Sequence, residues 1–579
     1  MKKYSAFLLA ALMLTGCSGN TVAEVTTVET TAVVQETPIG IFAPEDPIPY
    51  ESRFDTSTHI ELSDNGITVD GGEETDAVFT SHDIVYYEDR DTYESGNPYG
   101  EGTDADKHTV EEAEAHTVVN ITAPGAYRVS GKLSAGQIRI DLGDDAYEDP
   151  DAVVELILEN ADITCTVAPA ILFLNTYECD GEWSADDAQP EVDTSTAGAN
   201  LILDGKNAVT GSYVAKIYKD KDGGKKLWKQ DGAIYSYMSL NVYGPGSLDL
   251  TADNEGLGAE LHLTINGGDI NIRSGNDGIN TNEDGVSVTT INAGTLHIIA
   301  GLGEEGDGID SNGYLVINGG TVVASANPAA DAGLDSDMGS YIHGGTVVAL
   351  GSTMDWAESD SKQVTMNLQF AQYQSNGSAI IVTDENETPV FAYDPSEDEV
   401  LGENIRQYMG AIISCPGFTQ GTTYHVYLDG TLTGEETGGV YTSVTSYSDS
   451  VQMQYTGTDM GFGGMGGRDS QRTDGEMRED FNGEKPTMPA DFEPGEMPED
   501  FTLPEGETMP KFSFGGGRGQ SGERPEGMDR EKTERPEGEM PEGGFGGRGG
   551  MSAPSGEASI DFYMQDKVNA FSGVTAVSE

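Results

Sequence analysis

The chain is 579 residues long and carries a formal net charge of -70, with 36% hydrophobic residues and 76 glycines. The length and the hydrophobic fraction permit a large buried core, whereas the charge and the glycine content lie far from globular averages. Direct attraction to nucleic acid or to an anionic membrane surface is excluded, and a polyanionic partner would need cations as bridges.

The N-terminus predicts export and a lipid anchor. Lys2 and Lys3 precede a short apolar run, which ends in the motif LTGC at Cys17. This ending resembles a bacterial lipoprotein signal and implies a signal peptide over 1–17, with lipid modification of Cys17. An ordinary secretory signal with an unrelated cysteine is the alternative. We therefore predict an extracellular protein, lipid-anchored on the outer face of the bacterial cell membrane.

Two regions have the composition of disordered chain. Residues 18–58 are rich in Thr, Val, Glu and Pro and are predicted to form a tether. Residues 457–557 are rich in Gly, Pro and Met and cannot form a packed core. An ordered pattern returns over 558–579, so the second region is predicted to be a surface insertion before a terminal strand.

Whether Cys165 and Cys179 form a disulfide bond with each other stays open.

Between these regions, short β-branched runs recur at a regular spacing. Turn motifs that begin at Asn266, Asn292, Asn318 and His343 lie 26, 26 and 25 residues apart, and a strand pattern follows each of them. A period in the twenties made of strands and turns is typical of a parallel β-helix. We predict an all-β fold: a right-handed parallel β-helix, or solenoid, over 59–362, and a β-rich C-terminal cap over 363–456. A β-sandwich is the alternative and does not explain the repeat.

Stacking of such repeats would align acidic side chains in columns. Leu or Ile follows the turn glycine of each repeat and faces the core, so the positions on either side face outward. Carboxylates about 4.8 Å apart repel by about 1 kcal/mol in water and by about 3 to 4 kcal/mol at an effective dielectric near 20. Calcium, which prefers oxygen ligands, would relieve this repulsion. The candidate ligands are Glu255, Glu260, Asp277, Asn280, Asp307, Asp310, Asp335 and Asp337. The alternative is that Asp and Asn occur there only because turns favour them.

Several segments closely resemble one known family. They are GNDGINTN, GDGIDSNGYLVINGGTVVAS, APGAYRVSGKLSAGQIRIDL and DGAIYSYMSLNVYGPGSLDL, and the resemblance covers about 59–455 and the final strands. The family is the clostridial cell-surface carbohydrate-binding parallel β-helix family, which is similar in fold to calcium-dependent pectate lyases. The resemblance implies bound Ca²⁺ and binding of acidic plant cell-wall polysaccharide, such as polygalacturonate or pectin.

The resemblance leaves open whether the protein cuts its polysaccharide. Cleavage by β-elimination needs a base beside calcium, usually Lys or Arg in such lyases, and Arg273 is the only Lys or Arg between Asp231 and Ser361. We predict that Arg273, His262 and Tyr314 contact sugar instead. The predicted function is calcium-dependent carbohydrate binding by a monomer that is not an enzyme. A calcium-dependent pectate lyase and a structural adhesin or spacer are the alternatives.

Overall fold

The structure, a computed structural model, describes residues 33–40, 46–86, 99–100, 108–180, 185, 188–214, 217–218, 225–226, 229–303, 305–352, 355–458 and 557–578. The predicted signal peptide with Cys17, part of the predicted tether and nearly all of the predicted insertion lie outside these residues. No described helix is long and apolar enough to cross a membrane. The three described cysteines, Cys165, Cys179 and Cys415, carry free thiols, so Cys165 and Cys179 are not paired.

The described chain consists mainly of strands, which we number in chain order. The strands up to residue 351 are β1 (Val33–Gly40), β2 (Ser57–Leu62), β3 (Thr68–Val69), β4 (Val78–Ser81), β5 (Tyr99–Gly100), β6 (Thr117–Ile121), β7 (Gly125–Leu133), β8 (Gly136–Asp141), β9 (Val154–Thr164), β10 (Ile171–Asn175), β11 (Ala199–Asp204), β12 (Lys206–Gly211), β13 (Ile217–Tyr218), β14 (Lys225–Lys226), β15 (Gly232–Ser236), β16 (Leu240–Tyr243), β17 (Ser247–Ala252), β18 (Glu255–Ala259), β19 (Leu263–Ser274), β20 (Ile279–Thr281), β21 (Val288–Ile299), β22 (Ile309–Ser311), β23 (Tyr314–Ile317), β24 (Thr321–Ser325), β25 (Leu334–Ser336), β26 (Gly339–Ile342) and β27 (Thr346–Gly351).

The remaining strands belong to the C-terminal part. They are β28 (Thr365–Gln374), β29 (Ile380–Asp384), β30 (Pro389–Tyr393), β31 (Tyr408–Ser414), β32 (Thr423–Leu428), β33 (Thr431–Thr437), β34 (Val440–Ser448), β35 (Val451–Gln454), β36 (Phe562–Tyr563) and β37 (Val568–Ala576). The described helices are short: α1 (Val110–Glu114) and the 3₁₀ turns Ala146–Glu148, Pro395–Glu397 and Gly402–Asn404.

Successive repeats pair in parallel and in register along two sheets. In a nine-stranded sheet, β18, β20, β22 and β25 follow one another, and Leu257, Ile279, Ile309 and Leu334 form one fully buried column. In a larger sheet, β19, β21, β24 and β27 follow one another in the same way. Each repeat is too small to bury its apolar residues alone, so the core is continuous through the stack.

Glycines bend the chain once in each repeat of the larger sheet, within β19 and β21 and then between β23 and β24 and between β26 and β27. Gly268, Gly294, Gly320 and Gly345 close the recurring turn motifs, and each has a positive φ between 81° and 98°. Glycine adopts this backbone conformation without the steric cost that a Cβ brings. The regular spacing of these motifs therefore reports a bend that recurs once in every repeat.

The predicted fold class is wrong as written, although the chain is all-β. The described strands do not form a plain right-handed β-helix solenoid with a separate cap, because the larger sheet contains 25 strands and is mixed. Within it, β31 pairs antiparallel with both β27 and β28, while β37 pairs parallel with β28. The repeat pattern reports stacking between neighbouring repeats and carries no information about the pairing of strands outside the repeat, so it missed this continuity.

The C-terminal strands enclose a second core and dock on the parallel strands. Phe391, Tyr393 and Tyr408 are fully buried among antiparallel strands of this part. The Arg406 guanidinium donates to the carbonyl oxygens of Ala300 and Ala326, at 2.8 and 2.9 Å. These bonds join the loop before β31 to two successive repeats.

An N-terminal segment at 46–56, here called the strap, crosses the outer face of the larger sheet. Ile48 N–H donates to the Asn266 carbonyl at 2.8 Å, and the rings of Tyr50 and Tyr243 lie 4.6 Å apart. Glu155, which is fully buried, accepts from the Ser52 hydroxyl at 2.6 Å and from the Arg53 N–H at 2.8 Å. The strap then enters β2, which pairs in parallel with β7.

We predict that Glu155→Gln loosens the strap. The amide keeps the shape of the side chain but can accept well from only one of the two donors, and hydrogen bonds to a charged group contribute about 1.5 to 3 kcal/mol each. The free energy of unfolding should fall by about that amount, and trypsin should cut at Arg53 faster. Glu61→Gln, at an exposed position of β2, is the matched control. Equal cleavage rates in both variants would contradict the role of Glu155.

We also predict that Gly438→Ala weakens the docking of the C-terminal strands. Gly438 has a φ of +55°, and a Cβ there would overlap the ring of His297 on β21. Gly402→Ala is the control, since its φ is +50° and no atom lies within 4 Å of the added Cβ. Overpacking costs about 1 to 3 kcal/mol, so Gly438→Ala should lower the unfolding free energy by that much beyond the control. Equal losses would show that backbone strain, and not the His297 contact, matters.

Candidate cation and carbohydrate site

Acidic side chains stack along the nine-stranded sheet. We call Glu255, Asp277, Asp307, Asp310 and Asp335 the acidic edge. Asp310 pairs in register with Asp335 on one side, and its partner on the other side is Asn280. Asp277 and Asp307 stand just before β20 and β22, whose first residues, Ile279 and Ile309, pair with each other. The structure therefore brings these residues together on neighbouring strands.

Hydrogen bonds along the stack hold these carboxylates in place. Asp277 Oδ1 accepts from the Asp307 N–H at 2.8 Å, and Asp307 Oδ1 accepts from the Ala332 N–H at 2.5 Å. The Asn280 amide donates to Glu255 Oε1 at 2.9 Å. Each of these bonds joins one repeat to the next, so the acidic edge is tied to the register of the sheet.

Burial and mutual repulsion raise the pKa values of the acidic edge. Burial is the main cause for Glu255, whose pKa rises to about 8, and for Asp277, whose pKa rises to about 7. Burial, with the charges of Asp335 and Asp277, raises the pKa of Asp307 to about 9. The pKa of Asp310 lies well above its usual range for the same reasons. The ionised cluster is thus costly unless positive charge enters it.

Lys229 supplies one such charge, and the sequence analysis missed it. Its ammonium group lies 3.0 Å from Asp231 Oδ2 and 3.8 Å from Glu255 Oε1. Burial alone lowers the pKa of Lys229, but the charges of Glu255 and Asp231 outweigh it and raise that pKa above its usual value. The sequence over 216–230 departs from the repeat pattern, so no alignment of repeats includes Lys229, although Lys229 comes shortly before the strand β15.

The side chains of the acidic edge are of the type that binds calcium, but their present positions do not form a calcium site. Ca²⁺ prefers oxygen ligands, which these side chains supply. Glu255 Oε2 is buried without a hydrogen-bond partner. Among the described residues, no hydrogen bond holds the Asp310 carboxylate. However, no three His, Cys, Asp or Glu side chains in the described chain form a ready-made metal site. A cation would therefore require carboxylates of the acidic edge to turn toward it.

Two further predicted ligands lie beside the acidic edge. Glu260 Oε2 accepts from the Tyr235 hydroxyl at 2.5 Å and is engaged in that bond. Asp337 follows β25, where burial and the charge of Asp335 raise its pKa. Asp355, which the repeat pattern did not include, extends the edge beyond Asp335 and accepts from the Ser336 N–H at 3.2 Å.

The structure does not bring the three predicted sugar-contacting residues together. His262 is buried between Asp180, 3.2 Å from its Nε2, and the Val288 N–H, which donates to its Nδ1. Arg273 donates to the carbonyl oxygen of Val400 at 3.1 Å and so joins β19 to the C-terminal part. Tyr314 lies half-exposed on the outer face of the larger sheet and is apart from the other two.

Comparisons with known proteins point to carbohydrate-binding proteins. Residues 115–367, which include the whole acidic edge, match a family described as "Carbohydrate-binding domain-containing protein". A curated relative from Acetivibrio thermocellus carries the same description and is 30% identical over 157 residues, which make up 27% of this chain and 45% of that protein. The chain thus spans less than half the length of this relative.

One solved structure is also similar. It is described as the structure of a polysaccharide lyase-like protein from C. thermocellum, in a gadolinium derivative. The match covers 50% of this chain and 93% of that chain, with 20% sequence identity and a TM-score of 0.30. At that TM-score, neither fold nor function follows from the likeness.

We predict that the metal-free protein loses stability as the pH rises from about 7 to about 9. A carboxyl whose pKa is higher in the folded than in the unfolded chain stabilises the fold at low pH, and this contribution is lost as the pH passes the folded pKa. The folded values are about 7 for Asp277 and about 9 for Asp307. Urea unfolding measured in chelator should show this fall in the free energy of unfolding, and the Asp307→Asn substitution should make the fall smaller. Asp269→Asn, at an exposed site, should not. A fall of the same size in Asp307→Asn would contradict the prediction.

Proposed function

We propose that this protein is an extracellular, lipid-anchored carbohydrate-binding protein that holds an acidic polysaccharide through calcium. The observation that carries the proposal is the acidic edge, a stack of buried and half-buried carboxylates that Lys229 neutralises only in part. The description of the matched family supports carbohydrate binding. Calcium, the lipid anchor at Cys17 and the acidic nature of the glycan belong to the proposal.

The charge of the chain explains why a cation would be needed. A protein with a net charge of -70 repels a polyuronate, and the acidic edge does so most strongly where its carboxylates crowd. A Ca²⁺ ion takes six to eight oxygen ligands, so it can bind protein carboxylates and still accept oxygens from a glycan. Each bound ion then lowers both the repulsion within the edge and the repulsion toward the ligand.

A calcium-dependent lyase is the second candidate, and Lys229 is the observation that favours it. A lyase of this kind needs a base that removes a proton from the sugar, and an amine beside a cation site has the right chemistry. The raised pKa of Lys229 opposes this role, because the amine then stays protonated at neutral pH and cannot accept a proton. Binding without cleavage is therefore the better-supported function.

We expect polygalacturonate to retain the protein in millimolar calcium and to release it in chelator. Replacing Asp310 or Asp335 by Asn removes a charged ligand from the acidic edge and should weaken retention at least about tenfold, or 1.4 kcal/mol. Asp269→Asn, an exposed acid on β19, is the control and should bind like the unmodified protein.

Three outcomes separate the candidate functions in that experiment. Retention that chelator does not change would contradict the role of calcium. A rise in near-ultraviolet absorbance from unsaturated product, lost in Lys229→Ala, would establish the lyase. Absence of retention on any acidic glycan, with a melting temperature that still rises in calcium, would support a structural spacer.

A further inference from the structure

A group of aromatic side chains lies on the outer face of the larger sheet, one corner away from the acidic edge. We call Tyr314, Tyr341 and His343 the aromatic stripe. The ring centroids of Tyr314 and Tyr341 are 6.2 Å apart, and those of Tyr341 and His343 are 6.0 Å apart. The stripe therefore runs across β23 and β26, which are neighbouring parallel strands.

Strand alternation directs these rings outward. On β23, Leu315 and Ile317 are fully buried, whereas Tyr314 is half-exposed. On β26, Tyr341 is half-exposed between Ser340 and Ile342, which are buried. Because alternate side chains of a strand point to opposite faces, the tyrosine rings lie on the side away from the core.

The rings keep both apolar faces and polar groups available to a ligand. Their planes are tilted by 48° and 58°, so they do not cover one another face to face. Among the described residues, neither tyrosine hydroxyl has a hydrogen-bond partner, whereas the Lys362 N–H donates to Nδ1 of His343 and holds that ring in place. Amphipathic rings of this kind suit the C–H faces and hydroxyl groups of a pyranose.

The segment that contains Thr194 contacts the outer face of the larger sheet at repeats that precede the stripe. The Thr194 hydroxyl donates to Asn241 Oδ1 on β16 and is hydrogen-bonded to the Thr264 hydroxyl on β19, both at 2.7 Å. Asn241, Thr264, Thr290, Val316 and Tyr341 form one column of register partners across the sheet. Tyr341 of the stripe is at the end of this column, beyond the strands that Thr194 contacts.

The stripe and the acidic edge are close enough for one glycan to reach both. Tyr314 follows Asp310 by four residues, so their Cα atoms lie at most about 14 Å apart even for fully extended chain. At the corner between them, the Asn312 amide donates to Asn280 Oδ1 at 3.3 Å and ties the corner to the next repeat. The two surfaces thus keep a fixed relation to each other.

We infer that the aromatic stripe is a second contact for the same polysaccharide, an inference that rests on the proposed carbohydrate-binding function. The sugar rings of the glycan stack on the stripe, while the carboxylates of the glycan meet calcium at the acidic edge. The two contacts differ in physical origin. Stacking depends on the rings and not on charge, whereas the acidic edge depends on the cation.

The test measures two binding constants for each variant. Tyr314→Ala, Tyr341→Ala and the double variant are titrated with calcium alone and then, in calcium, with a soluble polygalacturonate oligomer. Each substitution should weaken glycan binding by about 2- to 12-fold and leave calcium binding unchanged. Tyr314→Phe keeps the ring and should retain most of the affinity. Tyr563→Ala, which removes a half-exposed tyrosine of the C-terminal part, is the control for a surface ring elsewhere.

The outcomes distinguish this inference from the function on which it rests. Glycan binding that needs calcium but is as tight in the double variant as in the unmodified protein would overturn the role of the stripe and leave the proposed function intact. Loss of glycan binding in Asp310→Asn alone would do the same if the tyrosine variants bind normally. Failure of the unmodified protein to bind the oligomer at all would overturn both.

Discussion

The in-register stacking of strands is the constraint on which the rest of this structure depends. Residues at one position of successive repeats are held about 4.8 Å apart, whatever their chemistry. For Leu257, Ile279, Ile309 and Leu334, this spacing produces a continuous apolar column that is fully removed from water. For the acidic edge, the same spacing brings like charges together and withdraws them partly from solvent. The stability of the core and the electrostatic cost of the edge therefore have one geometric origin, and a cation would relieve the cost without changing the geometry.

A stack of this kind has exposed strand edges and an exposed outer face, and the described chain covers part of both. At one end, β31 pairs with β27 and continues the sheet into antiparallel strands, so the last parallel strand does not present free backbone groups there. Arg406 and Arg273 fasten the same region through backbone carbonyl oxygens of neighbouring segments. The strap covers the outer face and is held there by Glu155, whose buried carboxylate accepts hydrogen bonds from the Ser52 hydroxyl and the Arg53 N–H. These contacts join segments far apart in the chain, and they limit where a ligand can approach.

The parts of this arrangement that recur with a period could be predicted from the sequence, and the parts that do not recur could not. Asn280, Asp310 and Asp335 occur at one offset from a turn glycine, and they do lie on successive strands. Lys229 and Asp355 belong to the same acidic cluster but stand in or beyond irregular segments, so no alignment of repeats includes them. Arg273 is predicted from the sequence to contact sugar, yet its guanidinium donates to the Val400 carbonyl, which lies far along the chain in the C-terminal part. The fold class failed for the same reason: pairing of β28, β31 and β37 is a tertiary property without a repeating signal.

The periodicity also bears on the kind of ligand that this surface suits. A stacked array offers related contacts at consecutive strands, and a polysaccharide offers related groups at consecutive sugars, so several weak contacts can act together within one complex. When two such contacts are linked through one ligand, the second forms at a high effective concentration and the combined affinity exceeds that of either alone. The short corner through Asn312 holds the acidic edge and the aromatic stripe close enough for one glycan to contact both. Neither surface needs a deep pocket for this mode of recognition. An extended polymer could gain affinity from the regular outer surface that stacking itself creates, so under the proposed function the register of the strands matters to binding as well as to stability.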